Sequence, residues 1–231
     1  MIHKLPRWIW FGAAVLSFIA GIVNAVGFLG FQHQGVTHLT GTSTLAGIAL
    51  AQWELEEALH LLAIVVAFVM GATVSGFIIQ DSRLKLGRRY GVALVIESAL
   101  LVAAVPLLKH NNVMGDYLAS GACGLQNAMT STYSGAVLRT THVSGVFTDL
   151  GIFFGHRLRG ITEDWRRFRL WLVLLGSFLI GGVVGAAMFA KFNYGTLYFP
   201  AALTGFVGLA YTVYLHYKLR HTAPQPPDTH V

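Results

Sequence analysis

The sequence is short of charge. Only 11% of its 231 residues are Asp, Glu, Lys or Arg, against 55% hydrophobic residues, where a soluble domain carries about 25% charged residues. The shortage is concentrated. No charged residue occurs from Trp8 to Phe31, from Leu61 to Ile79, from Tyr117 to Leu138 or from Leu170 to Ala190, and the run from Leu197 to Tyr217 contains only His216. Each run reaches or approaches the roughly 20 apolar residues that cross about 30 Å of hydrocarbon. A water-soluble helical core does not need five such runs, so the pattern points to a multi-pass membrane protein.

Cysteine is nearly absent. The single Cys123 excludes an internal disulfide. With no Cys partner and no short-spaced His/carboxylate cluster, neither a resident metal nor a cofactor is expected. The net charge of +6 is no sign of nucleic acid. Lys and Arg sit in short loops between apolar runs, where they set topology. The first run follows Lys4 and Arg7 as a signal peptide would. It is far longer than a 7–15-residue h-region and ends without a small-x-small cleavage site, so it reads as the first membrane helix.

Eight apolar segments follow: 8–31, 37–52, 58–80, 90–108, 115–138, 141–155, 168–190 and 196–217. The tail, 221–231, is rich in proline and is expected to be disordered. Two segments are short. As helices, 37–52 and 141–155 would be about 24 and 22 Å long, too short to span comfortably.

The chain also repeats itself. Gly21-Ile-Val-Asn24-Ala25 is echoed by Gly124-Leu-Gln-Asn127-Ala128, and Thr37-His38-Leu39-Thr40-Gly41 by Thr141-His142-Val143-Ser144-Gly145. A weaker match pairs Gly71 with Gly181. The echoes divide the chain into residues 1–110 and 111–220, two halves of one membrane domain. Basic clusters lie at Lys4/Arg7, Arg83–Arg89, Arg157–Arg169 and Lys218/Arg220. All are placed in the cytoplasm, with both termini, only if the two short segments enter and return on one side. Glu54, Glu56 and Glu57 then lie outside. The fold expected is all-α: six spanning helices and two re-entrant ones in a three-plus-three inverted repeat, an arrangement typical of secondary transporters.

The matched polar residues are the candidate site. Asn24, His38, Thr40 and Gly41 correspond to Asn127, His142, Ser144 and Gly145. Thr or Ser would cap the short helices, and two converging helix N-termini would favour a small anion or carboxylate. Histidine suits proton coupling or gating, and the bland role of each polar group is capping or interhelical hydrogen bonding. Glu97 and Asp149 lie within apolar runs and are candidates for proton coupling. Gly181-x-x-x-Gly185, Gly71-x-x-x-Ser75 and Ser120-x-x-x-Gly124 read as close-packing seams. The basic loops are expected to meet anionic lipid, and the sequence is compatible with a homo-oligomer.

The Gly-x-x-Asn24-Ala…Thr-His-Leu-Thr-Gly and Gly-Leu-Gln-Asn127-Ala…Thr-x-x-Ser-Gly blocks resemble the YoaK-like family of uncharacterised bacterial membrane proteins, over roughly residues 8–218. That family usually reads Asp-Ala in the first block and Thr-Gly-Asn in the second element; here those places hold Asn24 and Thr42. The resemblance implies residence in a bacterial inner membrane and brings no established activity. The function expected from the residues is a transporter or channel for a small solute. The alternatives are a metal-dependent intramembrane enzyme using His38, His142 and Asp149, and a non-transporting scaffold or sensor.

Overall fold

A computed structural model describes residues 7–30, 38–79, 89–134 and 142–221. They form α1 (Arg7–Gly30), α2 (Leu39–Ala51), α3 (Leu55–Ile78), α4 (Arg89–Lys109), α5 (Met114–Ser134), α6 (Val143–Leu158), α7 (Trp165–Phe192) and α8 (Tyr198–His221), with a 3-10 turn, Asn193–Leu197, joining the last two. The basic cluster at residues 83–88, the tail from 222 onward, Thr37 and Thr141 lie outside the described residues.

The helices end where local chemistry requires. Asp164 caps α7, its Oδ1 accepting the Arg166 amide at 2.9 Å, which satisfies one of the orphan donors of a first turn. The short turns use left-handed backbone at Asn111 (φ 53°), Asn193 (φ 50°) and Gly160 (φ 76°), residue types that tolerate it. Trp53 is the exception at φ 61°. It is 84% exposed, in the α2–α3 turn beside Glu54, and an amphipathic ring there suits a membrane interface.

Among the described residues, four stretches are long and apolar enough to cross a membrane: Trp10–Gly30, Leu55–Ile78, Arg89–Lys109 and the 50-residue stretch Trp165–Tyr214, which holds α7 and most of α8. Helix α5 is not among them because it is rich in Ser, Thr, Gln and Asn. Its position explains how it keeps that composition. It packs between α3 and α4, with Ser120, Gln126 and Thr130 buried, so its polar groups meet protein rather than lipid.

The helices pair across the sequence midpoint. α1 packs on α7, α3 on α5, and α4 on both α5 and α8. The α1–α7 crossing is so close that a β-carbon on Gly21 would land on the Phe178 carbonyl oxygen, and one on Gly181 on the Phe18 carbonyl oxygen. At the α3–α5 crossing the same holds for Gly124 against Phe68 and for Gly71 against Gly121. Each crossing also carries a serine hydrogen bond. Ser17 Oγ donates to the Leu174 carbonyl at 2.8 Å, and Ser120 Oγ donates to the Ile64 carbonyl at 2.9 Å. The small-residue seams read from the sequence are therefore backbone-to-backbone contacts, the usual means by which helices associate where lipid gives no hydrophobic drive.

The centre is well filled. Ile19, Val23 and Val26 of α1 meet Leu101 and Val105 of α4 and Ala119 and Ala122 of α5 in one buried cluster. A second joins Ala13 to Leu94, Leu125 and Leu174. The short helices lie at the periphery. α2 rests on α3 through Ala46, Ala49, Ala58 and Leu61. α6 rests on α7 through larger residues, with Phe153 stacked on Phe168 at 4.9 Å. The two do not touch one another among the described residues. Each is tethered by a short turn to the second long helix of its own half, α3 or α7, and docks there.

Candidate functional site

The paired motifs adopt matching local geometry. His38 precedes α2 with φ −105° and ψ 61°, and His142 precedes α6 with φ −93° and ψ 61°. Neither side chain makes a capping hydrogen bond. Histidine, rather than the expected Thr or Ser, therefore occupies the cap position, because each helix starts one residue after the histidine. Thr40 and Ser144 fall in the first turns, where their carbonyls accept from Thr44 Oγ1 at 2.9 Å and Thr148 Oγ1 at 3.0 Å. The imidazoles fold back over Gly41 and Gly145, close enough that a β-carbon there would sit 3.6 and 3.4 Å from Nδ1. His38, Thr40, His142 and Ser144 are all exposed. The motifs form two similar places, on helices that do not touch one another among the described residues.

Inside the bundle the polar groups are fewer. Asn24 on α1 and Asn127 on α5 are half-buried. Gln126 is buried, its Nε2 donating to the Leu16 carbonyl at 3.2 Å. Glu97 on α4 is 1% exposed, and its Oε2 has no hydrogen-bond partner among the described residues. Such a group is costly to keep, and its persistence marks it out. Asp149 is different. It is exposed on α6, outside the buried stripe of Val146, Leu150 and Phe153 that packs on α7.

One cleft, of about 790 Å³, opens beside the first turns of α3 and α5. Glu54, Glu56, Glu57, His60, Val113 and Tyr117 line it. His60 Nδ1 lies 3.0 Å from the Tyr117 hydroxyl, and Nε2 lies 3.7 Å from Asp116 Oδ2. A neutral His60 protonated at Nε2 would accept from Tyr117 and face Asp116 with its N–H. The cleft thus presents carboxylates and an imidazole to a solute that enters it. His60, Asp116 and Tyr117 escaped the sequence reading because they lie at helix ends, outside the repeated motifs. The available signal was Glu56-Glu57-x-x-His60, which sets His60 at i+4 and i+3 from two first-turn carboxylates of α3.

A family model for a protein of unknown function (DUF1275) matches residues 12–210, almost all of the helical bundle. The chain belongs to the DUF1275, or YoaK-like, family. The expected resemblance holds over the full set of described helices. No curated protein and no solved structure matches this DUF1275 chain, and the family has no assigned activity.

Proposed function

We propose that this DUF1275 protein is a secondary transporter or channel for a small solute, with a non-enzymatic role in a bacterial inner membrane. Its six long helices, α1, α3, α4, α5, α7 and α8, would span as two inverted halves of three. The matched serine bonds support this reading most directly. Exchanging α1 with α5 and α3 with α7 converts Ser17→Leu174 into Ser120→Ile64, residue for residue. The four glycine contacts exchange in the same way. With three crossings per half the second half is inverted, and inverted repeats with interrupted helices recur in secondary transporters.

In this reading Glu97 carries the coupling proton, with Asp149 as a second titratable group on α6. Asn24 and Asn127 contact the solute inside, and the His38–Gly41 and His142–Gly145 motifs serve the two access routes. Helices α2 and α6 do not touch among the described residues, so the class of solute is left to the flux assay. A second reading, a non-transporting scaffold or sensor, draws support from the apolar filling of the centre by residues such as Ile19, Val23 and Leu101.

Flux decides between them. The full chain is reconstituted into vesicles holding a pH-sensitive dye and challenged with pools of carboxylates, amino acids and amines. At least one pool should drive a pH change with the wild type, reduced tenfold or more by Glu97→Gln, the scale at which a lost proton-transfer group is felt. If no pool moves protons through folded wild-type protein, the scaffold reading stands.

Topology gives a separate expectation. Single cysteines at Glu56 and Arg159, in a Cys123→Ser background, are treated with an impermeant maleimide on intact cells. Position 56 should label at once and position 159 only after lysis, because the basic turn is cytoplasmic. Labelling of 159 from outside would invert the arrangement.

A further inference from the structure

We propose that the α6–α7 turn is a docking surface for the phosphate headgroups of anionic lipid, in the membrane that the apolar helices span. The turn carries Arg157, Arg159, Arg166, Arg167 and Arg169, all exposed. It contains two acids, and both are engaged locally. Glu163 is held by His156, and Asp164 caps α7 by accepting the Arg166 amide. Five guanidiniums therefore dominate the surface, and planar guanidinium suits phosphate oxygen bidentately.

Charge alone would fit many polyanions; the apolar residues between the arginines narrow the choice. Leu158, flanked by Arg157 and Arg159, is 90% exposed, and Phe154, Ile161 and Trp165 are about half exposed at 53%, 45% and 49%. A turn that meets only water or a nucleic acid has no use for them. At the boundary of headgroup and acyl chain, apolar side chains enter the hydrocarbon edge while neighbouring guanidiniums reach phosphate.

The surface is also held in shape. Trp165 packs edge-on to Phe153 and Phe168 at 5.3 Å from each, and the Arg157 guanidinium lies 5.5 Å from its ring centroid. One cation is thereby positioned over an aromatic platform. The corresponding turn of the first half, between α2 and α3, presents the exposed Trp53 beside Glu54 and Glu56 instead. The same structural place has opposite charge in the two halves, as expected if one faces anionic lipid and the other does not.

The test uses the full-length chain in detergent micelles with defined amounts of phosphatidylglycerol and phosphatidylcholine, retained lipid being counted by native mass spectrometry. Wild type should retain phosphatidylglycerol in preference to phosphatidylcholine. The triple variant Arg157→Gln/Arg159→Gln/Arg166→Gln should lose that preference by about tenfold or more, and each single variant by up to about fivefold. Lys191→Gln, at the far end of α7, should change nothing. Equal retention by the triple and single variants and wild type, or an equal loss in Lys191→Gln, overturns the proposal. Displacement of the lipid by soluble glycerol phosphate or inorganic phosphate at comparable concentration overturns it in favour of a free anion. Capture of an oligonucleotide in place of the lipid overturns it in favour of nucleic acid. None of these results depends on whether the protein transports a solute.

Discussion

A single methyl group added at Gly71, Gly124, Gly21 or Gly181 is expected to prevent the native bundle from closing. At each position the new β-carbon would land on a backbone carbonyl of the facing helix: Gly121, Phe68, Phe178 and Phe18 respectively. No rotamer change relieves such a clash, because the obstacle is main chain. Only separation of the two helices helps, and separation breaks the neighbouring serine bonds from Ser120 to Ile64 and from Ser17 to Leu174. Overpacking a filled site costs about 1–3 kcal/mol and sometimes more; with a backbone partner and a lost hydrogen bond, the upper end is expected. The measurement is melting and monodispersity of each Gly→Ala variant in one detergent. Gly76→Ala and Gly182→Ala, where nothing lies within 4 Å of the added carbon, should melt like wild type. The equivalent pair Gly21→Ala and Gly124→Ala should suffer alike. Wild-type melting of Gly124→Ala would mean that the α3–α5 crossing is looser than described, and a large inequality within the pair would count against the repeat.

These contacts mark the boundary of what could be read from the sequence. The long helices were legible because a spanning segment must largely exclude charge: the observed α1, α3, α7 and α8 fall on the uncharged runs within a few residues, and α4 falls on the apolar segment 90–108 despite Glu97 within it. Helix α5 was legible for the same reason, although Gln126, Asn127 and Thr130 lower its hydropathy. Partner choice was not. Apolar residues facing lipid and apolar residues facing another helix look the same; the match of Gly71 with Gly181 related α3 to α7 in the repeat but did not say that α1 packs on α7 and α3 on α5. The matching of His38 with His142 was visible, but where the two helices dock was not. That depends on the short turns at Gln52–Glu54 and Arg159–Asp164, which hold α2 and α6 beside α3 and α7. Asp149 was legible as a carboxylate in an apolar run, but its place on the open face of α6 follows only from how α6 packs on α7. The cleft residues His60, Asp116 and Tyr117 come from two helices 57 residues apart at the His60–Tyr117 contact, a juxtaposition that only the fold supplies.

Replacing Glu97 with methionine is expected to make the protein more stable and to end proton coupling. The carboxyl is buried in α4, which is held between α5 and α8. Its Oε2 has no hydrogen-bond partner among the described residues, whereas the adjacent Ser98 is satisfied, its Oγ donating to the Ala201 carbonyl at 2.7 Å. A buried polar group without a partner costs about 1–3 kcal/mol. Methionine keeps a similar length and fills irregular space without asking for a partner, so Glu97→Met should recover part of that cost. Glu97→Gln should not, because the amide introduces two donors that also need acceptors. Ser98→Ala, which removes a made bond, should lose about 1 kcal/mol. The comparison is melting of the three variants beside the same vesicle flux assay. A protein that gains stability while losing function at one residue has kept that residue for its chemistry. If Glu97→Met instead melts as low as Ser98→Ala or lower, the carboxyl is holding the bundle together, and the proton-carrying role assigned to it fails.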